Sequence, residues 1–459
     1  MTKNFYRARV GTAVTAVTLA AACSSFRDQL LEPQQPGVIG PEATESATAA
    51  DALRKGALSR LRLATVGGEA IWMLSGLMTD EWKSGDTFSQ RNETDQRIVQ
   101  TNNGNVAGMY VTVQRARGAA YDALNALRTF IPDTASKQAQ MYWVLGVAEL
   151  GLAENFCSGV PYGFIVNGVP TDADPLTSAQ GYALALLHLD SALALATATD
   201  TFTVSVNRAI QISRARALVN LGGAANFALA AAAVASVPTS YQYLQTFSLT
   251  TADNALWSLN NSAKRWVVGD SFDTGGRIVN AIPFASANDP RVPKTGSTIN
   301  STLLKAFDTN TWLVAQGIYA RSDPVPLATG IDARLIEAEA RLQANDIPGM
   351  MVILNALRAS TQRIGTYTVP VMAALATPGS QTAATDLYFR EKAFWAFGRG
   401  QRLSDLRRLI RQYGRTLDVV FPTGQFFKGG NYGVDVNFPV TINEEKPNPK
   451  WTGCIDRTA

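Results

Sequence analysis

The chain is 459 residues long, 46% apolar and 17% charged, with a formal net charge of +4. That length and apolar content can bury a large core, as one extended domain or two closely packed ones. Trimming residues 1–22 removes three positive charges and no negative one, taking +4 to +1, and the remaining basic residues are interleaved with acids, which excludes a nucleic-acid-binding patch.

Lys3, Arg7 and Arg9 precede the apolar run Val10 to Ala22, the layout of a secretory signal peptide. The run is 13 residues long and carries threonines at 12, 15 and 18, too short to span a bilayer, which takes roughly 20 apolar residues. Its ending, Leu19-Ala20-Ala21-Ala22-Cys23, resembles a lipobox, in which Cys23 receives a lipid before cleavage; the same three alanines also fit ordinary cleavage of a secreted protein. With Ser24 and Ser25 following, the outer membrane is the expected destination. If Cys23 is acylated, Cys157 and Cys454 remain as an even pair in an oxidising compartment, and a disulfide between them is expected, the alternative being two buried thiols. Residues 23–45, with Pro33, Pro36 and Pro41, read as a tether.

A mainly α body follows over 46–459, its helices expected at about 46–248 and 331–412 and its loop-rich portion at about 249–330 and 413–459. Thr48 to Asp51 reads as a capping-box variant opening the first helix. From Val106 to Ile131 the apolar positions keep helical spacing while Arg115, Arg117, Asp122 and Arg128 avoid the stripe, and Lys137 to Phe156 repeats the pattern. Thr177 with Gln180 caps a further helix. Arg208 to Leu221 and Ala224 to Val237 flank Gly222-Gly223 as a hairpin, and Asp332 to Ala344 with Met350 to Ser360 form another. Alanine-rich pairs of this size point to degenerate tetratricopeptide-like units, with a plain helical bundle as the alternative. The period vanishes between about 249 and 330, where Gly269-Asp270, Gly275-Gly276, Asp289-Pro290 and Gly296-Ser297 punctuate short pieces such as Arg265 to Val268. Lys83 to Asn105, Gly365 to Thr385 and the tail from Phe421 also read as loops, and loops this long in a compact body are usually functional.

Little in the chain points to catalysis. His188 is the only histidine and sits on an apolar helix, and Gly398-Arg399-Gly400 lacks the third glycine and preceding strand of a phosphate loop. Asp270 and Asp273 read as turn caps rather than a calcium site, so no metal or cofactor is expected. Asp80-Glu81 are adjacent, whereas a glycosidase places its two carboxylates across the sugar. A binding reading needs less: an aromatic ring for the C–H face of a sugar, and polar groups for its hydroxyl rim. Trp82, Asp86, Phe88 and Arg91 supply both in one loop, and Trp312 with Tyr319 could form a second platform, core filling being the alternative for each ring.

Five segments in order resemble the SusD/RagB family of nutrient-capturing surface lipoproteins. Arg390-Glu391-Lys392-Ala393-Phe394-Trp395, continuing through Gly400-Gln401-Arg402-Leu403-Ser404-Asp405-Leu406-Arg407-Arg408, is similar to the family's C-terminal helix motif. Ile331 to Arg341 with Leu354 to Arg358, Asn155 to Pro161, Asp289-Pro290-Arg291, and Phe438-Pro439 to Asn448-Pro449 resemble four others. Lys392, Trp395 and Arg399 depart from the family pattern and mark a divergent branch. Glu391, Arg402 and Asp405 are expected to form a buried ion-pair network fixing the helix against the chain's end. The resemblance implies a SusD-like α-α superhelix that is not an enzyme. It would bind an oligosaccharide or a peptide, face the cell exterior on a lipid anchor, and partner a SusC-like TonB-dependent transporter. The competing reading is a tetratricopeptide-type scaffold lipoprotein for envelope assembly.

Overall fold

The computed structural model describes residues 45–166, 169–250, 252–295, 304–441 and 448–459. The expected signal peptide, Cys23 and all but the last residue of the tether lie outside them. Twelve described helices of seven residues or more make the protein mainly α: α1 Ala47–Val66, α2 Ile71–Leu77, α3 Ser89–Gln96, α4 Gly104–Phe130, α5 Ala135–Asn155, α6 Ser178–Leu195, α7 Thr201–Leu221, α8 Ala224–Val234, α9 Gly330–Gln343, α10 Ile347–Arg358, α11 Gln381–Trp395 and α12 Arg402–Tyr413. None is long and apolar enough to cross a membrane.

Local chemistry sets most of the boundaries. Thr177 and Gln180 form the expected reciprocal box on α6. On α1 the cap lies earlier than expected: the Ser46 hydroxyl accepts from Ala49 N, and Asp51 instead takes Arg54, Lys55 and Lys137. Gly222 ends α7 at φ +73°, a backbone state that a side chain resists, so the α7–α8 turn falls where glycine permits it. Helix α3, sequence SQRNETDQ, arises inside a stretch expected to be loop. It has no apolar stripe; its end is held from outside, where Gln96 O accepts from Gly433 N and the Arg97 guanidinium donates to Pro422 O and Asp435 O.

Helices α1, α4, α5, α6, α7, α8, α9 and α10 each pack on the next, a continuous helix-pair layer whose alanines let the axes approach closely. Its core gathers Leu124, Trp143, Leu145, Leu189, Ile210 and Phe227. A second core, around Trp72, Trp82, Trp266, Phe284, Phe394 and Leu406, joins α2, α11 and α12 to the loop-rich portion. Helix α9 serves both, with Ala333 and Ile336 toward the first and Leu335 and Leu342 toward the second. The described strands pair only in twos. Trp82–Ser84 runs antiparallel to Trp266–Val268, and Gln242–Gln245 to Val325–Thr329, which draws residues 249–330 back onto the body. Cys157 and Cys454 are joined by a disulfide, S–S 2.07 Å, tying the tail to the end of α5.

Candidate ligand-binding surface

Apart from the exposed Arg390, the charged residues of the C-terminal motif are consumed inside the protein. Glu391 receives Arg291 at 2.7 Å and Arg358 at 3.1 Å; Arg402 grips Asp80 at 2.7 and 2.8 Å; Asp405 takes Lys392 at 2.6 Å and Arg408 at 2.8 Å. Arg399 pairs with Asp332, and Arg408 also with Glu339. The network ties α11 and α12 to α9, α10, the Asp289-Pro290-Arg291 turn and the start of the Trp82 strand, rather than to the chain's end as expected. Asp80 is therefore spent on Arg402. Glu81 is buried with Gly398 N donating to it, and burial raises its carboxyl to about 8. The two acids face no common cleft, so the glycosidase geometry is absent here. His188 Nδ1 lies 2.6 Å from Glu149, which also holds the fully buried Arg117; that arginine, off the apolar stripe in sequence, points inward because Glu149 and Tyr162 O receive it. Asp270 accepts from Ser286 N and Oγ, and Asp273 pairs with Lys83.

Four of the six expected ligand-contacting side chains do not face solvent freely. Trp82 is fully buried, because pairing with Val268 turns it into the second core against Phe397, ring centroids 4.9 Å apart. Tyr319 is buried too, packed with Leu313, Val314 and Ile318, its hydroxyl pushed well above the ordinary tyrosine range by desolvation. Neither offers a platform. Asp86 is also buried and organises the loop: it accepts from Thr87 N at 2.7 Å, from Phe88 N at 3.2 Å and from Arg265 at 2.9 Å, and pairs with Arg91. Arg91 is shared between Asp86 and Glu69, and burial, followed by the charge of Arg265, lowers it to about 10, so it stays charged at neutral pH.

That internal pairing aims Phe88 outward. Its ring is 55% exposed, with the Arg91 and Arg265 guanidiniums 4.8 and 5.5 Å from its centroid. Arg265 also lies 3.8 Å from the centroid of Phe307, itself 47% exposed. Nearby, Phe272, 45% exposed, stacks on the half-buried Trp312 at 6.2 Å and 11°, with Lys305 Nζ 5.6 Å from the Trp312 centroid. The loops are locked together. Asp308 accepts from Asn310 N, Thr311 N and Lys428, and Lys428 reaches back to Asp86 O at 2.7 Å and Asn92 at 3.0 Å. Phe307, Phe272, Arg265 and Lys305 were not singled out in the sequence. The signal was there for Phe307, an aromatic beside the polar turn Asp308-Thr309-Asn310, the same signal that marks Phe88.

The result is a strip of outward rings separated by guanidinium and ammonium groups, held by buried carboxylates. Such a strip can take the C–H face of a sugar on each ring and satisfy hydroxyl or acidic groups between them. A groove of about 550 Å³ lies elsewhere, between α4 and the Pro161 to Asp172 segment. Its one partly exposed ring, Phe164, is less exposed than Phe88, Phe307 and Phe272, which favours the loop strip as the sugar platform. Among the described residues no group of His, Cys, Asp and Glu is arranged to hold a metal ion.

No protein-family model matches the chain, and no curated protein does. Solved structures do. A SusD-like protein from Bacteroides fragilis aligns over 91% of this chain and 98% of its own, with TM-score 0.63 and 12% identity. A SusD superfamily protein from Parabacteroides distasonis aligns over 88% and 98%, with TM-score 0.60 and 15% identity. A SusD-like carbohydrate binding protein from Bacteroides vulgatus aligns over 79% and 83%, with TM-score 0.56 and 13% identity. The chain thus has the SusD-like fold.

Proposed function

We propose that this protein is a divergent SusD/RagB lipoprotein that captures an oligosaccharide outside the cell and delivers it to a TonB-dependent outer-membrane transporter. The observation that carries the reading is the strip formed by Phe88, Phe307 and the Phe272/Trp312 pair on a SusD-like fold. One structural neighbour is described as carbohydrate binding, which favours a glycan over a peptide. In this reading residues 1–22 are removed on export, the lipid sits on Cys23, residues 23–45 tether the body, and 46–459 form the capturing unit. Holding ligand close to a transporter raises its effective concentration without any covalent step, so no catalysis is required.

Titration calorimetry of the mature chain against a panel of neutral and acidic oligosaccharides tests the capture step. Binding that falls by about tenfold in the Phe88→Ala/Phe307→Ala double variant is expected; a panel without a binder sinks the reading. Affinity purification from the source membranes tests delivery, with a large barrel transporter expected to co-elute. Recovery of an envelope assembly complex without a barrel would favour the scaffold alternative, which leaves the exposed rings without a role.

A further inference from the structure

Charge on the loop strip is sorted by direction. The segments that form it, residues 84–92, 264–277, 305–312 and 425–433, contain four acids, Asp86, Asp270, Asp273 and Asp308. Every one is spent inside: Asp86 on Arg91 and Arg265, Asp270 on Ser286, Asp273 on Lys83, Asp308 on Lys428 and its own turn. Three cations are left over: Lys264 and Arg277 face outward, and Lys305 lies at the surface with its ammonium donating to Asn310 O at 3.0 Å. Lys264 and Arg277 are exposed, Lys305 is half-buried, and none of the three has an acidic partner among the described residues.

Each of these cations adjoins an outward ring. Arg277 is the cross-strand partner of Phe272; Lys305 is the bridge partner of Trp312, its ammonium 5.6 Å from that ring; Lys264 O accepts from Phe307 N. A neutral sugar needs the rings and a mixed rim of donors and acceptors. Within these segments the rim offers outward donors and no outward carboxylate, and the adjoining partly exposed acid, Glu69, is taken by Arg91. The pattern suits acceptor-rich anionic groups, and Lys264 and Arg277 are already solvated at the surface.

We infer that the ligand is an anionic oligosaccharide, its carboxylate or sulfate ester groups meeting Lys264, Arg277 and Lys305 while its C–H faces lie on the Phe272/Trp312 pair and Phe307. This rests on the oligosaccharide reading above and narrows it. Individual surface ion pairs are worth only a few-fold each, so three acting together favour an acidic over a neutral oligosaccharide by on the order of tenfold or more at low salt.

The test is titration of the mature chain with hexagalacturonate, a sulfated galactan hexasaccharide, neutral galactohexaose and hexaglutamate. Expected is at least one acidic sugar binding about tenfold tighter than the neutral one, the advantage shrinking as salt rises from about 50 to about 500 mM because screening shortens the reach of exposed charges. The tighter of the two acidic sugars identifies the group, carboxylate or sulfate ester. The Arg277→Gln/Lys305→Gln double variant should bring the acidic sugars down toward the neutral one's affinity. Equal, salt-insensitive binding of neutral and acidic sugars overturns the charge inference and leaves the glycan reading intact. Absence of binding by every sugar overturns both, and hexaglutamate binding more tightly than any sugar assigns the rim to acidic peptides instead and overturns this proposal.

Discussion

Arg402 and Arg408 in α12 lie buried against Asp80, Glu339 and Asp405, whereas Lys264 and Arg277 on the loop strip are exposed and have no acidic partner among the described residues. Both regions are rich in aromatic rings and basic side chains. In the first, carboxylates receive Arg291, Lys392, Arg399, Arg402 and Arg408, and Arg407 is met by the Ala153, Glu154 and Phe156 carbonyls, so charge becomes a means of fixing α11 and α12 in one position. In the second, the acids turn under the surface and hold Lys83, Arg91, Arg265 and Lys428, while Lys264 and Arg277 remain outside. A buried charge without a partner is expensive, while an exposed one costs little; the same residue types therefore give scaffold in one place and, in the function proposed above, recognition in the other.

The largest effect should follow from stranding a charge in the first region. Arg402→Met leaves Asp80 buried and unpaired, and is expected to cost about 3 to 5 kcal/mol of stability. Chemical denaturation checks this, and a change under about 1 kcal/mol would mean that the α12 network is solvated rather than buried. Next comes the disulfide. Cys157→Ser with Cys454→Ser frees a cross-link separated by 297 residues in sequence and should cost about 2 to 4 kcal/mol, read from the same melts under non-reducing conditions. Since the tail carries none of the strip's rings or unpaired cations, ligand affinity of the folded double variant should stay unchanged.

A smaller effect tests the one carboxylate in the first region that lacks a salt bridge. Burial holds the Glu81 proton up to about 8, against 4.5 ordinarily, and does the same to Asp95, held up to about 7. The unfolded chain has already ionised in that window, so unfolding there releases protons. Stability must fall as pH rises from about 4.5 toward 8 and level off above it, each group contributing a slope of about 1.4 kcal/mol per pH unit. Glu81→Gln, which keeps the shape and cannot ionise, should flatten denaturation midpoints measured from pH 5 to 9 by about one proton's worth. An unchanged slope would show that Glu81 ionises without penalty.

How far the sequence could reach follows the same division. The Thr177/Gln180 box, the Gly222-Gly223 hairpin and the α9–α10 pair are local, since capping atoms and glycine conformations act within a few residues, and each was readable. The motif around Glu391 to Arg408 announced buried charge but not its partners, because Asp80, Arg291 and Glu339 come from segments far along the chain. Helix α3 was hidden for the same reason, its supports being Gly433, Pro422 and Asp435. In the candidate site, Trp82 and Phe88 occupy similar polar surroundings six residues apart. Only the pairing of Trp82 with Val268 decides that one becomes core and the other surface.

That pair sets the finest test of the comparison. Phe88 is 55% exposed, and the groups that position its loop do not depend on its ring: Asp86 still receives Thr87 N, Arg265 and Arg91, and Lys428 still reaches Asp86 O. Phe88→Ala should therefore leave the melting midpoint almost unmoved, within about 0.5 kcal/mol, as for most exposed positions without a special role. What it removes is one stacking face, so oligosaccharide affinity should drop about three- to tenfold, the range an aromatic contact supplies. Asp86→Asn gives the contrast, because losing its charge releases both arginines and lets the ring move, lowering affinity and stability together. If Phe88→Ala instead lowers the midpoint by several degrees with affinity intact, then Phe88 belongs with Trp82 as packing, and the boundary between scaffold and recognition has to be drawn further out, at Phe307 and Phe272.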